Sequence, residues 1–242
     1  MFYPLFFALY LLSATILQAE YIQTYEGPIK VEFSEYLSIV QKFLPENPVI
    51  VEAGGHYGTD TARFAKLWPK ASIISFEPNP GAYTKLVMET LKYPNVQTFP
   101  IALGKYDGEA IFHVCYGSTG NNSIYEGASS LLAPADYMAI HYQGPDIHVS
   151  CRVLDHWCEE NNVNHVDFMW LDLEGMELQV LESSPKILGT VKAVLVETNF
   201  QEFRKGMTLY PQLKKFMEDS GFILLCHSYV EGLQGDALFI RN

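Results

Sequence analysis

The sequence predicts an α/β fold with a doubly wound, mostly parallel sheet. Short apolar runs such as VIVEA over residues 49–53 have no polar alternation, which is typical of strands buried on both faces. Amphipathic helical segments alternate with these runs, as a parallel sheet requires. No repeat, low-complexity tract or Pro/Gly/Ser linker follows residue 20, so residues 20–242 are predicted to form one domain.

The elements follow in order along the chain. Ser34 is expected to cap an amphipathic helix that Pro45 and Pro48 end, and Pro69 closes the next helix. The predicted helices cover residues 34–44, 59–67 and 80–91, a segment that begins at 176, and residues 211–219. The predicted strands cover residues 49–53, 72–77, 96–102, 109–114, 147–153, 166–173, 191–197, 222–228 and 237–241.

Two features are expected to interrupt the regular alternation. The segment 109–114 alternates polar and apolar residues after a turn at 105–108, which predicts an antiparallel hairpin with the strand before it. Residues 116–145 are rich in Gly, Ser, Asn and Tyr, which indicates a long insertion or lid with little regular structure.

The charge and cysteine content exclude several function classes. Sixteen Lys and Arg against 28 Asp and Glu give a formal net charge of −12, which disfavours a nucleic-acid partner. The four cysteines lack the paired spacing of a zinc site, and Cys151 and Cys158 are expected to be free thiols. Neither composition nor spacing determines an oligomeric state.

Residues 1–19 form an apolar segment without a charged side chain. A secretory signal peptide ending at Ala19 fits this pattern, and a membrane anchor is the competing interpretation because about 17 residues can span a bilayer as a helix. We therefore expect the chain to enter the secretory pathway, either secreted or anchored to a membrane. If the segment is instead a buried N-terminal helix, the chain is cytoplasmic.

The first strand runs directly into a glycine-rich turn. Glu52 precedes Gly54 and Gly55, and His56 and Gly58 complete the turn before a helix begins. Glycines permit the tight turn and a close approach of a ligand to the backbone. The second strand ends in Glu77, roughly 20 residues after the first glycine, where a carboxylate can accept both hydroxyls of a ribose.

This pattern distinguishes between two nucleoside cofactors. A nicotinamide dinucleotide needs glycines spaced G-x-G-x-x-G, whereas this chain has G-G-x-x-G with Glu52 in front. A carboxylate at that position is poorly placed beside a pyrophosphate and well placed beside an ammonium group. The residues therefore favour S-adenosylmethionine.

A later buried strand ends in the segment LDLEGME, which contains Asp172 and Glu174. If the strand persists that far, its period of two places both carboxylates on one side. Paired acids at this position suit proton abstraction from a hydroxyl, or the binding of a divalent metal. A helix-entry acid with a solvated neighbour is the structural alternative.

Taken together, several segments resemble the FkbM-type S-adenosylmethionine-dependent methyltransferases. They are VIVEAGGHYGTDT, IISFEPNP, FPIALGKYDGEAIFHV, SSLL at 129–132, RVLDHW and VDFMWLDLEGMELQVLES. The resemblance implies a Rossmann-like class I methyltransferase fold with an antiparallel last strand. It also implies a cofactor loop of Glu52, Gly54, Gly55 and Gly58 that contains His56 where the family usually has Asn, a ribose acid Glu77, an adenine-side strand end at Ala102, and Asp172 facing the reacting end of the cofactor.

The sequence thus predicts methyl transfer to a hydroxyl of a sugar or another small molecule, with Asp172 or Glu174 as the base. An exported, non-catalytic ligand-binding protein with the same fold is the alternative from another class, motivated by residues 1–19. A nicotinamide-dependent oxidoreductase is a third, and binding of that dinucleotide would distinguish it.

Overall fold

A computed structural model of the chain describes residues 25–27, 31–117 and 126–242. The prediction of a targeting segment at residues 1–19 lies outside these residues. In the ranges that the structure covers, no helix combines the length and the apolarity needed to cross a bilayer.

In the described ranges the main sheet has eight strands: β1 (Tyr25–Gly27), β2 (Val49–Ala53), β3 (Ser72–Phe76), β4 (Val96–Phe99), β8 (Phe168–Leu171), β9 (Ala193–Asn199), β10 (Phe222–Tyr229) and β11 (Gln234–Arg241). Their order across the sheet is β4-β3-β2-β8-β9-β11-β10-β1. All neighbouring pairs are parallel except those of β11, which is antiparallel to both β9 and β10. The predicted α/β class with a mostly parallel sheet and an antiparallel last strand is present.

Seven helices of the described ranges cover the sheet. They are α1 (Phe33–Val40), α2 (Thr59–Leu67), α3 (Pro80–Thr90), α4 (Leu154–Glu160), α5 (Glu177–Ser183), α6 (Pro185–Leu188) and α7 (Tyr210–Asp219). On β8, Met169 and Leu171 contribute to a core shared with α4 to α7, while Phe168 and Trp170 face a second core with α1 and α2. Burial on both faces explains the continuous apolar runs of the sequence.

The strand predicted over residues 96–102 is two strands in two different sheets. The chain leaves the main sheet at Pro100, and β5 (Ile101–Leu103) joins a small sheet with β6 (Gly108–His113) and β7 (Asp146–Arg152). Proline has no N–H to continue a ladder and its φ is fixed, so it favours such a change of course.

The predicted hairpin is wrong in its pairing. Strand β7 lies between β5 and β6, parallel to β5 and antiparallel to β6, so β6 does find an antiparallel neighbour, but not the strand before it. The first helix also begins earlier than predicted, because Glu32 precedes it and the Glu35 carboxylate accepts the Glu32 N–H at 3.1 Å. Ser34 therefore lies inside α1.

The described part of the insertion, residues 116–117 and 126–145, has only two single turns of 3₁₀ helix, at Glu126–Ala128 and Asp136–Met138. It is held by long-range backbone bonds, because Ser130 pairs with His113 and the N–H of Lys205 donates to the Ala133 carbonyl at 2.9 Å. The insertion is thus irregular but tied to the small sheet and to the loop that follows β9.

Gly54→Ala tests the contact that joins β2 to β8. Gly54 has φ +93°, and a Cβ there would lie 2.0 Å from the Asp172 carbonyl oxygen. We expect the substitution to cost more than about 3 kcal/mol in the free energy of unfolding, since strain and overlap add. Chemical denaturation measures it.

Gly206→Ala is the matched control. Gly206 has a similar φ of +74°, but a Cβ there meets nothing within 4 Å, so only the backbone cost of about 1–2 kcal/mol applies. Equal losses in the two variants would contradict a steric role for Gly54.

Candidate active site

The carboxyl ends of β2, β3, β8 and β9 open into a cavity of about 480 Å³. The small sheet supplies part of its wall through Ala102, Leu103 and Phe112, and the insertion supplies Ser129 and Leu131. The structure brings the following predicted site residues to this cavity: Glu52, Gly54, Gly55, His56, Glu77, Ala102, Asp172 and Glu174. Gly58 does not line it and instead precedes α2, where it packs against Leu86.

The loop after β2 is shaped by its backbone. The N–H groups of Gly54 and Gly55 both donate to the Phe76 carbonyl, at 3.0 and 2.9 Å, which fixes the loop to β3. His56 adopts a left-handed φ of +44°. Asn and His tolerate this conformation better than most residues, which accounts physically for a histidine here.

Glu52 forms a buried wall of the cavity. Its Oε2 accepts hydrogen bonds from the hydroxyls of Ser75, at 2.6 Å, and Thr61. Burial raises the pKa of this carboxyl to about 7, although the two hydroxyl donors oppose the shift. The Glu52 side chain is therefore held by β3 and α2. With a pKa of about 7, its carboxyl group is only partly ionised at neutral pH.

Glu77 lies at the end of β3, beside the loop. Its Oε2 accepts the His56 N–H at 2.9 Å and its Oε1 accepts the Asn79 N–H at 2.7 Å. Each carboxylate oxygen can accept more than one hydrogen bond, so both retain acceptor capacity for a ligand. Glu77 thus holds the loop and presents an oriented carboxylate to the cavity.

Asp172 and Glu174 do not lie on a strand, because β8 ends at Leu171. They belong to a turn in which Glu174 has a left-handed φ of +53°, so the alternation of a strand does not explain their proximity. The turn brings both carboxylates together with that of Glu197, at the end of the neighbouring β9. Oxygen atoms of the three side chains lie within 4.8 Å of one another.

The side chain of Glu177 stabilises this turn by binding its backbone. Its Oε1 accepts the N–H groups of Leu173, at 2.9 Å, and of Gly175, at 3.1 Å. Gly175 has φ +104°, and a Cβ there would meet Met207 at 2.6 Å. The last acid of the LDLEGME segment therefore has a structural task that the sequence analysis did not assign.

The charge of the cavity is one-sided. Six carboxylates line it, those of Glu52, Asp60, Glu77, Asp172, Glu174 and Glu197, and no Lys or Arg of the described residues does. Burial, and after it the charge of Glu174, raises the pKa of Asp172 well above its ordinary value. Burial also raises the pKa of Glu174 to about 7, against the opposing effect of Arg204. Such a cavity favours a cationic ligand.

Asp172 differs from its acidic neighbours in having no compensation. In the part of the chain that the structure covers, its carboxylate makes no hydrogen bond or ion pair, whereas Glu197 accepts from Gln234 at 3.1 Å and Glu174 faces Arg204 at 3.8 Å. An uncompensated carboxylate beside like charges is a strong proton acceptor.

Glu197 and Arg204 are functional candidates that the sequence analysis missed. Glu197 carries the same signal that singled out Glu77, an acid at the carboxyl end of a buried parallel strand. Arg204 has no such local signal, because its neighbours come from distant segments.

Comparison with known proteins gives a consistent result. Residues 52–224 match the family model described as "Methyltransferase FkbM domain". The chain is 28% identical over 228 residues to the 2-O-methyltransferase NoeI of Sinorhizobium fredii (strain NBRC 101917 / NGR234), covering 93% of this chain and 90% of that one. It is 24% identical over 202 residues to methyltransferase sdnD of Sordaria araneosa, covering 74% and 75% of the two chains.

Among solved structures, a fibrillarin/Nop5p complex matches with a TM-score of 0.50 at 12% identity, over 86% of this chain and 81% of that one. At this identity the likeness concerns the fold alone. The predicted Rossmann-like class I fold is confirmed.

Asp172→Asn tests the electrostatics of the cluster through stability. A carboxyl whose pKa is higher in the folded than in the unfolded chain binds more protons when folded, so the free energy of unfolding falls as pH rises from about 4. The amide removes this effect. We expect the ligand-free variant to be more stable than the wild type at pH 8 by on the order of 1 kcal/mol, about 2–4 °C in Tm, with the difference shrinking toward pH 4.

Asp107→Asn is the control of opposite sign. The Val153 N–H and the neighbouring His156 hold the pKa of Asp107 down at about 2, so its charge stabilises the fold above pH 4. Its amide should lower Tm at pH 8, as calorimetry at both pH values would measure. A lower Tm for Asp172→Asn as well would contradict the repulsion described above.

Proposed function

The chain belongs to the FkbM methyltransferase domain family and is an S-adenosylmethionine-dependent methyltransferase, and we propose that it methylates a hydroxyl group of a sugar or another small molecule. The enzyme prediction is thereby confirmed, and the non-catalytic alternative has no support. The observation that carries the proposal is Asp172, an uncompensated carboxylate in the same cavity as the glycine loop and Glu77. The 28% identical relative named 2-O-methyltransferase supports oxygen as the accepting atom.

The residues of the cavity fit the cofactor. S-adenosylmethionine supplies a methyl group on a positively charged sulfur, and a cavity lined by carboxylates favours that charge. We assign the Glu77 carboxylate to the ribose hydroxyls and Ala102 on β5 to the adenine side. The backbone of the loop Gly54–Gly55–His56 would lie against the cofactor. Glu52 lies behind the loop and balances the ammonium group.

Asp172 then acts on the acceptor. Its raised pKa would suit it to take the proton of the acceptor hydroxyl, while the bound cofactor would supply the methyl group and keep the electron pair of the broken carbon–sulfur bond. The carboxylates of Glu174 and Glu197 lie within 4.8 Å of it, and their negative charge would stabilise the proton that Asp172 takes up. Most of the acceleration comes from holding the acceptor oxygen in line with the methyl group, which the walls formed by the insertion and the small sheet provide.

A divalent cation bridging the acids is the second chemical version, because the three carboxylates approach within 4.8 Å. Two contacts favour the direct role of Asp172. Glu174 already faces the cation of Arg204. Both oxygens of Glu197 accept hydrogen bonds, from Gln234 and, at 3.4 Å, from Asn199.

The acceptor class is tested by mass spectrometry of products from a panel of glycans and hydroxylated metabolites incubated with the protein and S-adenosylmethionine. We expect a mass increase of one methyl group on a hydroxyl of the accepted compounds. Methylation confined to amines or carboxylates would reject the proposal of O-methylation while leaving methyl transfer intact.

We also propose that residues 1–19 direct the chain to the secretory pathway, where they are either removed after Ala19 or retained as an anchor. Cell fractionation with N-terminal sequencing of the mature chain distinguishes the cases. A chain that begins at Glu20 in the secreted fraction identifies a signal peptide, and an intact N-terminus in the membrane fraction identifies an anchor. An intact chain in the cytosol contradicts both.

Glu77→Gln should weaken S-adenosylmethionine binding by about 10-fold or more, because a charged acceptor of two ribose hydroxyls is lost. Isothermal titration calorimetry measures the Kd. Glu89→Gln makes the same change on an exposed face of α3 and should leave the Kd unaltered. If both variants bind like the wild type, the ribose assignment is incorrect.

Asp172→Asn and Glu174→Gln should each reduce turnover by about 10²-fold to 10⁴-fold with a much smaller loss of cofactor affinity, as expected when general base catalysis is lost. The wild-type rate should rise with pH, because burial raises the pKa of both acids and the base must be ionised. Turnover is measured with an acceptor from the panel.

Chelation distinguishes the two chemical versions. Activity should survive EDTA if Asp172 takes the proton directly, and it should be abolished if a cation bridges the carboxylates. Full activity in both amide variants would remove this turn from the reaction.

A further inference from the structure

Arg204 is a buried cation on the loop between β9 and α7. Its side chain is fully buried, its Nη1 donates to the Leu132 carbonyl at 3.0 Å, and its guanidinium lies 4.6 Å from the ring centre of Tyr142. Both of these partners belong to the insertion. Burying a guanidinium is costly unless charged or polar groups surround it, so its position requires a carboxylate.

Glu174 is that carboxylate. The Arg204 Nε lies 3.8 Å from the Glu174 Oε2, which is ion-pair distance but beyond a hydrogen bond. Within the described residues, the Arg204 Nε and Nη2 are buried without a hydrogen-bond partner. A movement of about 1 Å would turn this pair into a charge-assisted hydrogen bond. Arg204 therefore has donor capacity directed at the acid cluster.

The other contacts of the same loop converge on the same turn. Met207 packs against Gly175, and the Thr208 N–H donates to the Gly175 carbonyl at 3.2 Å. From the insertion side, the Ser130 hydroxyl donates to the Glu174 carbonyl at 3.1 Å. The loop after β9 and the insertion thus both hold the backbone of the Glu174 turn. Arg204 lies on that loop and its side chain also binds the insertion, so it connects the two.

Among the described residues, Arg204 is the cation that faces Glu174, and the other charged groups around it are acids. Acids approach it from its own turn and from two neighbouring elements, and a tyrosine and a thiol of the insertion complete its surroundings: Asp172, Glu177, Glu197, Tyr142 and Cys115. Without Arg204, repulsion would drive Glu174 to take up a proton or to turn away from Asp172.

We propose that Arg204 is a positioning residue for methyl transfer, which fixes the Glu174 carboxylate beside Asp172 and ties it to the insertion that walls the cavity. This inference rests on the proposed function, in which Glu174 belongs to the reacting cluster. Arg204 does not line the cavity. It acts through Glu174.

The test measures protons released when S-adenosylmethionine binds, by calorimetry at several pH values in two buffers of different ionisation enthalpy. A cation entering the cavity lowers the pKa of Glu174, so the wild type releases protons in a window around pH 7. Comparison between variants cancels protons from the ligand's own amino group, and Glu174→Gln removes the contribution of Glu174.

We expect Arg204→Met to move this window to higher pH by on the order of one unit, since the opposing cation is gone. In the Glu174→Gln background the same substitution should leave the pH dependence of proton release unchanged. Arg204→Gln, which is neutral but keeps a donor for the Leu132 carbonyl, should give the same shift, and it decides the question if the methionine variant does not fold.

Arg241→Met is the matched control. Arg241 also donates to backbone carbonyls, to Val191 at 2.7 Å, and lies over the Phe222 ring at 4.2 Å, but away from the cavity. It should lower Tm with the wild-type proton profile. A wild-type profile in the folded Arg204 variants overturns the proposal, as does a shift that persists without Glu174. Failure of the wild type to bind S-adenosylmethionine would instead reject the proposed function.

Discussion

Repulsion among buried carboxylates is the constraint that organises the functional end of this protein. The three acids nearest Asp172 are each compensated by a different contact: Glu177 by two backbone N–H groups, Glu197 by two side-chain amides, and Glu174 by Arg204. Asp172 receives none of these from the described residues. Asp172 is thus the acid of this group that lacks a compensating contact, and an acid left in this state is the one best prepared to accept a proton.

The same end of the sheet shows how backbone geometry places that group. Gly54 allows β2 and the Asp172 turn to approach more closely than any side chain would permit, so the glycine loop and the acid cluster share one rigid boundary. Glu77 extends this boundary to β3 through the His56 N–H. Groups on three neighbouring strands are therefore held in register by close backbone contacts and one oriented carboxylate at the carboxyl edge of the parallel sheet.

Features that depend on residues close together in sequence could be predicted from it, and features that depend on partners distant in sequence could not. Strand β2 was predicted with its observed bounds, because an apolar run between prolines and glycines is a local signal. The acids at strand ends were found by the same logic, which applied to Glu197 would have found it too. The pairing of β6 and the position of Arg204 depend on partners that lie far away in sequence, so nothing nearby indicates them. Pro100 is a local signal that a strand ends, but the sequence does not show that the next strand joins another sheet, because that depends on tertiary packing.

Strand β11 lies between β9 and β10 although it follows both in the sequence. During synthesis, β9 therefore emerges with one hydrogen-bonding edge open, and β10 has no place in the sheet until β11 has left the ribosome. Gln234, which binds Glu197, arrives on that same strand. The end of the sheet that carries the acid cluster is thus among the last parts of the molecule to be completed, and a nascent chain lacking β11 exposes an apolar edge that cellular chaperones would need to shield.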